Sequence, residues 1–366
     1  MSEVSEGYLL ELLEACAACA PAPLYPAEYA KERNIDRAVL DAGLDELRRR
    51  GLVKFTEWVR ERGQGYTPTE LGRQALTSRH IPADAAPEPA GVASAEMTAY
   101  DRGEQVRGAV LWPGQPYASW TLLLINVLFF LGGGVYVVWH GLSLWDYSRG
   151  ECISERNLPV LYELGALWPP RTVPESFLRH LLPTQWVRLI LFLFLHAGLL
   201  HLMFNMSFLA TISREIEAMW GWHRFLAIYF SAGIVSGCTI ILISRLEQFR
   251  SPAEPITVGA SGPIYGLFTA MAVWFSLNYE HLPDNLIEEW SQMIGINLVL
   301  LMAVNFVPSV SWQGHFGGAV GGFLAAMLLH VQRFHPSTTV RWLALAAVPL
   351  VPAAFLAAVF WQAGWF

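Results

Sequence analysis

Four polar side chains stand in otherwise apolar segments of this 366-residue chain, where lipid would make them costly. Ser261 lies in Gly-Ala-Ser-Gly at the start of one segment, and His315 opens another. His201 and Asn205 lie four residues apart in a third, so on a helix they share one face. A serine beside an imidazole is an activated nucleophile, and neighbouring N–H groups could stabilise an oxyanion. The pattern predicts acyl-transfer chemistry.

Each of these residues also has a purely structural interpretation. Ser261 could cap its helix, and Asn205 could hydrogen-bond between helices. His196, five residues before His201, could be a packing residue, since on a continuous helix it points about 140° away from His201. The catalytic interpretation is favoured because three segments each carry a polar group near one end, all toward the same membrane face.

Rows of small residues predict how these groups meet. Gly262 and Gly266 repeat every four residues after Ser261, as Gly318 and Gly322 do after His315. Such rows let two helix backbones approach closely, which would bring Ser261 within hydrogen-bond reach of His315. No acidic partner is evident in the apolar segments, so the prediction is a dyad. Pro263 suits the first turn of a helix that starts at Ser261.

The composition predicts a membrane protein. The chain is 54% hydrophobic and 15% charged, whereas a soluble domain has about 25% charged residues. The fold class expected is an all-α polytopic membrane bundle with a small α+β soluble domain at the N-terminus. Candidate spans are 119–140, 187–211, 223–244, 258–277, 291–308, 315–332 and 342–362. A long first loop, 141–186, separates the first two spans.

Residues 1–80 predict a soluble domain whose order, three helices, a hairpin and a helix, resembles a winged-helix domain. In its third helix, the spacing of Val39, Leu40, Leu44 and Leu47 predicts one buried face, and Gly51 ends that helix. Residues 81–112 predict a flexible linker, 113–332 the membrane core and 333–366 an additional span. Cys16 and Cys19 have no second pair to complete a metal or redox site.

The charge of the N-terminal domain gives little support for a nucleic-acid partner. Residues 1–80 hold 11 Lys and Arg against 13 Asp and Glu, and the whole chain has a net charge of −7. The basic run Arg48–Arg50 ends a helix, where cations also suit the helix dipole. A protein-contact or regulatory module is the favoured interpretation, with DNA binding as the alternative. The acidic N-terminus predicts no cleavable signal peptide.

Several motifs, in order, resemble the rhomboid family of intramembrane serine proteases. They are "QWVRLILFLFLHAGLLHLMFN", "GASGPIYGLF" and "GHFGGAVGGF", each on its own span, preceded by "ELGALWPP" in the first loop. The resemblance covers about residues 119–332 and implies a six-helix core, here with one more C-terminal span.

The resemblance also implies roles for individual residues. Ser261 would be the nucleophile and His315 the general base and acid. His201, Asn205 and Gly259 would form the oxyanion hole.

Supporting roles are implied as well. Trp186 and Arg188 would anchor the first loop, and His196 would be structural. The fifth span with the loop after it would gate substrate entry. No metal or cofactor is implied.

The implied partners are single-pass transmembrane substrates within the lipid bilayer. The expected location is the inner cell membrane, with the N-terminal domain cytoplasmic and the active site open to the outer face. The loop arginines do not favour this orientation, which follows from the resemblance and from the acidic N-terminal domain. A catalytically inactive rhomboid-like binder and a membrane-tethered DNA-binding regulator are the alternatives.

Overall fold

The computed structural model describes residues 5–59, 62–82, 99–111, 114–150, 158–167, 187–247, 256–282, 284–307 and 310–362. The chain divides into two compact units. The first is built mainly from Met1–Arg107, and the second from Gly108–Tyr279, Asp284–His335 and Thr339–Phe366.

The first unit has the predicted order of helices and strands. Its elements are α1 (Glu6–Ala18), α2 (Pro26–Arg33), α3 (Arg37–Arg49), β1 (Val53–Val59), β2 (Gly63–Pro68) and α4 (Glu70–Ser78), and β1 pairs antiparallel with β2. Leu40, Leu44 and Leu47 are buried in its apolar core, whereas Val39 is 52% exposed, so the prediction that Val39 shares their face is wrong. Residue 39 lies about 100° from residue 40 around the helix and so points outward.

The structure shows the surroundings of the basic run and of Cys16 in this unit. The Arg48–Arg50 run is ion-paired with Asp45 and Glu46 of its own helix. Burial raises the pKa of the Cys16 thiol to about 12, the opposite of what a reactive or metal-binding thiolate needs.

The predicted linker 81–112 is not structureless throughout, because α5 (Ala99–Leu111) forms within it. Val106 is fully buried, so this helix has at least one apolar side chain that is shielded from solvent. Residues 83–98 of the predicted linker lie outside the described residues.

The second unit is helical. Its elements are α6 (Tyr117–Trp139), α7 (Leu144–Arg149), α8 (Leu158–Glu163), α9 (Arg188–Leu191), α10 (Leu199–Trp220), α11 (Trp222–Glu247), α12 (Ser261–Asn278), α13 (Asp284–Val304), α14 (Trp312–Phe334), α15 (Thr338–Ala347) and α16 (Leu350–Gln362). The parts of the first loop that the structure describes carry α7 and α8, as a structured loop predicts.

All seven predicted spans correspond to helices, but the described residues contain five that are long and apolar enough to cross a membrane. They are Tyr117–Trp139, Trp222–Ser244, Leu286–Val304, Trp312–Phe334 and Thr338–Gln362. The two that fall short, α10 and α12, carry His201, Asn205 and Ser261 of the predicted site. With these apolar helices, the chain is an integral membrane protein.

Two of the predicted spans have different boundaries. The span expected at 187–211 begins only at Leu199 and continues to Trp220, because Gly198 has φ of 116° and cannot continue a right-handed helix. The last span is broken between α15 and α16, where Pro349 lacks the N–H that a continuous helix requires.

A buried carboxylate joins α6 to α10. Glu217 accepts hydrogen bonds from the backbone N–H groups of Ala118 (3.1 Å) and Ser119 (2.7 Å) and from the Ser119 hydroxyl (2.6 Å). The first N–H groups of a helix have no partner within it, and a negative charge there also suits the helix dipole. Glu217 therefore caps α6 from a neighbouring helix.

We expect Glu217→Leu to lower the free energy of unfolding by about 3 kcal/mol, because it leaves buried N–H groups without an acceptor. Ser119→Ala removes only the hydroxyl bond and should cost about 1 kcal/mol. Unfolding of the detergent-solubilised protein measures both. Equal stability of Glu217→Leu and the wild type would contradict the capping role.

Candidate active site

Ser261 is the first residue of α12, so the predicted helix start is confirmed. The N-cap is Ala260, which makes the interpretation of Ser261 as the helix cap wrong. The hydroxyl of Ser261 is instead directed to another helix. Pro263 lies in the first turn, where its missing N–H leaves no gap in the helix.

His315 lies in the first turn of α14 and its side chain is buried. Its Nε2 lies 2.9 Å from the Ser261 Oγ. The Tyr265 ring stacks on the imidazole with centroids 4.1 Å apart and planes 13° from parallel. The Nδ1 atom lies 2.8 Å from Oδ1 of Asn305, just beyond the end of α13. The imidazole is therefore held at both nitrogens and on one face.

The glycine rows of α12 and α14 lie against each other with no room for side chains. A Cβ atom on Gly318 would lie 2.0 Å from the carbonyl oxygen of Gly262, and one on Gly322 would lie 2.3 Å from Cα of Gly266. Real Cβ atoms do not approach backbone that closely. This contact of main chain with main chain sets the separation of the two helices, and with it the separation of Ser261 and His315.

His201, Asn205 and Gly259 lie together beside Ser261. A Cβ atom on Gly259, whose φ is 130°, would lie 3.0 Å from Nε2 of His201 and 3.7 Å from Nδ2 of Asn205. His201 Nδ1 accepts from the N–H of Ala197 (3.3 Å), so in the neutral ring the proton is on Nε2. Asn205 Nδ2 donates to the His201 carbonyl (3.0 Å) and retains a second N–H.

The strand-like segment before Ser261 is held by backbone hydrogen bonds to the first loop and to the residue that follows α9. Thr257 exchanges two backbone hydrogen bonds with Leu167, and Gly259 donates to the Phe192 carbonyl at 2.8 Å. Arg188 donates to the carbonyls of Tyr162 and Ala166 in that loop. Trp186, predicted to act with Arg188, lies outside the described residues.

His196 is placed differently from the sequence prediction. It precedes α10 rather than lying on it, since the helix begins at Leu199. The prediction that it points away from His201 is therefore wrong, and the two rings lie 5.2 Å apart in an edge-to-face arrangement. His196 is 1% exposed, so it packs behind His201.

A cavity of about 660 Å³ is open to the reacting atoms. Ser261, His315, His201 and Asn205 all line it, and most of the remaining wall is aliphatic or aromatic. Within the described residues, no group of three His, Cys, Asp or Glu side chains is arranged to hold a metal ion.

Sequence reasoning missed two residues of this site. Tyr265 lies one helical turn after Ser261, so its spacing placed it on the same face and could have been noticed. Asn305 had no such signal, because it directly follows a different helix and is ten residues from His315.

Comparisons with known proteins show the family of this chain. Residues 183–332 match the model of the Rhomboid domain. The chain is 32% identical over 145 residues to Putative rhomboid protease YdcA of Bacillus subtilis, covering 67% of that protein and 39% of this chain. The chain belongs to the rhomboid family.

Other members of the rhomboid family match over a smaller share of their length. RHOMBOID-like protein 5 of Arabidopsis thaliana is 36% identical over 173 residues, which are 47% of this chain and 50% of that protein. Inactive rhomboid protein 2 of Homo sapiens is 30% identical over 192 residues, 50% of this chain and 21% of that protein. The chain thus spans about half the length of RHOMBOID-like protein 5, and the relatives include proteins named as proteases and as inactive.

Proposed function

We propose that this rhomboid is an intramembrane serine endopeptidase that cuts transmembrane helices with Ser261 and His315. The observation that supports this most is the 2.9 Å contact between the Ser261 Oγ and the His315 Nε2. A nucleophile within hydrogen-bond reach of a base is the arrangement that serine catalysis needs.

In the proposed reaction, Ser261 Oγ attacks the carbonyl carbon of the scissile peptide bond while its proton passes to His315 Nε2. The tetrahedral intermediate collapses, the C–N bond breaks, and His315 gives the proton to the leaving amine. Water then attacks the acyl-enzyme with His315 again as base, which restores the serine.

The oxyanion of each tetrahedral intermediate needs N–H donors that are already in place. The Nε2–H of His201, the second amide N–H of Asn205 and the backbone N–H of Ser261 are the proposed donors. Gly259 has no side chain, and a Cβ there would press on His201, so glycine keeps the space open. Arg188 and His196 would support this arrangement without touching the substrate.

The apolar wall of the cavity favours a transmembrane segment as substrate, within the lipid bilayer. The proposal includes the orientation predicted from sequence, with the active site open to the outer face of the inner cell membrane. For residues 1–80 we propose a protein partner, since the arginines of the basic run Arg48–Arg50 are paired with carboxylates rather than free to contact DNA phosphates.

A fluorescent fluorophosphonate tests the proposal without knowledge of the substrate. We expect the folded, detergent-solubilised protein to be labelled and the adduct to map by mass spectrometry to Ser261. Denatured protein is the control and should not react. A folded protein that stays unlabelled would favour the inactive-binder alternative, and an adduct on another serine would mean that Ser261 is not the nucleophile.

A further inference from the structure

Asn305 makes three polar contacts that together fix which way its amide points. Nδ2 lies 2.8 Å from the Leu301 carbonyl oxygen and 3.0 Å from the Tyr265 hydroxyl, and Oδ1 lies 2.8 Å from Nδ1 of His315. A carbonyl oxygen can only accept, so the atom that faces Leu301 must be the NH₂ group. The reversed amide would place two acceptors against each other.

The Tyr265 hydroxyl supports the same assignment. It donates its proton to the Leu301 carbonyl, so it offers a lone pair to Asn305. Asn305 then donates one amide proton to the Leu301 carbonyl and the other to the Tyr265 hydroxyl, and its oxygen is left as an acceptor toward His315. Every polar atom in this group has a partner of the right kind.

The orientation of Asn305 determines the tautomer of His315. An acceptor at Nδ1 requires the proton to be on Nδ1, which leaves Nε2 of the neutral ring with a lone pair. Nε2 is the atom that faces the Ser261 hydroxyl. Only this tautomer can take the proton of Ser261.

We propose that Asn305 is a positioning residue that holds His315 in the tautomer and orientation required of a general base. The site is then Ser261–His315–Asn305, with Tyr265 and the Leu301 carbonyl fixing the amide. The proposal deepens the proposed function and rests on it for its kinetic part. Its structural part, the protonation of Nδ1, holds whether or not the protein is a protease.

The location of Asn305 connects the base to a weakly buried helix. Leu301 lies in the last turn of α13 and Asn305 directly follows that helix, and only 17% of the apolar stretch of α13 is buried. Displacement of this end of α13 would carry the acceptor away from His315. Base alignment therefore depends on where α13 lies.

Solid-state NMR of protein in liposomes, with histidine ¹⁵N-labelled only at Nδ1, tests the structural part. The His315 signal is identified by its loss in His315→Ala. We expect a protonated Nδ1 in the wild type and in Asn305→Asp, which keeps an acceptor oxygen. Asn305→Leu should lose that protonated signal.

The rate of fluorophosphonate labelling tests the kinetic part. We expect Asn305→Leu to react about 10- to 100-fold more slowly than the wild type, the usual loss when a supporting partner is removed. Asn297→Leu is the matched control, because Asn297 lies on α13, the helix that Asn305 follows, and donates to Met293 as Asn305 does to Leu301. It should leave both the rate and the His315 signal unchanged.

Failures of the two proposals are distinguishable. A wild type without labelling overturns the proposed protease, while its NMR signal still decides the tautomer. An unprotonated Nδ1 in the wild type overturns the role of Asn305. A slower labelling rate of Asn305→Leu with an unchanged His315 tautomer also overturns that role, because this combination means general structural damage. A changed tautomer with an unchanged labelling rate overturns it as well.

Discussion

A variant lacking both Ser261 and His315 is expected to cleave no more slowly than a variant lacking either one. Each alanine substitution should reduce cleavage by a factor on the order of 10⁴ to 10⁶. The two residues act as one unit through their 2.9 Å contact, so removal of either leaves the other without a function. The residual rate would come from the oxyanion donors and from substrate positioning.

Cleavage of a tagged single-pass transmembrane protein in liposomes measures these rates, and thermal unfolding shows that each variant is folded. Ser231→Ala is a matched control, because Ser231 is buried on the adjacent helix α11 and lies outside the proposed site. Its rate should equal that of the wild type. Losses that multiply in the double variant would mean that Ser261 and His315 do not work together.

Gly318→Ala is expected to abolish most activity and to destabilise the bundle. The new Cβ would lie 2.0 Å from the Gly262 carbonyl oxygen, which is backbone and cannot rotate away. The helices α12 and α14 must therefore separate, and with them Ser261 and His315. Displacement by about 1 Å can cost a catalyst 100-fold, so we expect at least that loss. Overpacking of this kind costs about 3 kcal/mol in stability.

The matched control is Gly132→Ala in α6, where a Cβ meets nothing within 4 Å. Alanine is the better helix former, so this variant should be as stable as the wild type or more stable by up to about 1 kcal/mol. Fluorophosphonate labelling and thermal unfolding provide the two readouts. A fully active Gly318→Ala protein would show that the glycine contact does not set the catalytic distance.

Local chemistry made the main features of the site predictable. Gly262 and Pro263 predict a helix start at Ser261, and the four-residue spacing of Gly318 and Gly322 predicts a face that approaches another helix. These signals lie within a few residues of the atoms they position.

Features that depend on tertiary contacts or on single breaks were not predictable in the same way. Gly198 interrupts a segment that otherwise has continuous helical periodicity, so the periodicity places His196 on the wrong face. Val106 is fully buried on a helix that forms in a segment whose composition predicts a linker. Asn305 looks like an ordinary polar residue at the end of an apolar helix until its contact with His315 is known.

The contact of α12 with α14 determines which positions of this sequence can accept substitutions during evolution. Because main chain meets main chain at Gly262 and Gly318, backbone contact rather than the size of side chains sets that spacing. Lipid-facing positions such as Leu128 and Leu131 can accumulate apolar replacements, since they are more than half exposed and lie on another helix. Evolution of the bundle's exterior is thereby separated from the distance between the reacting atoms.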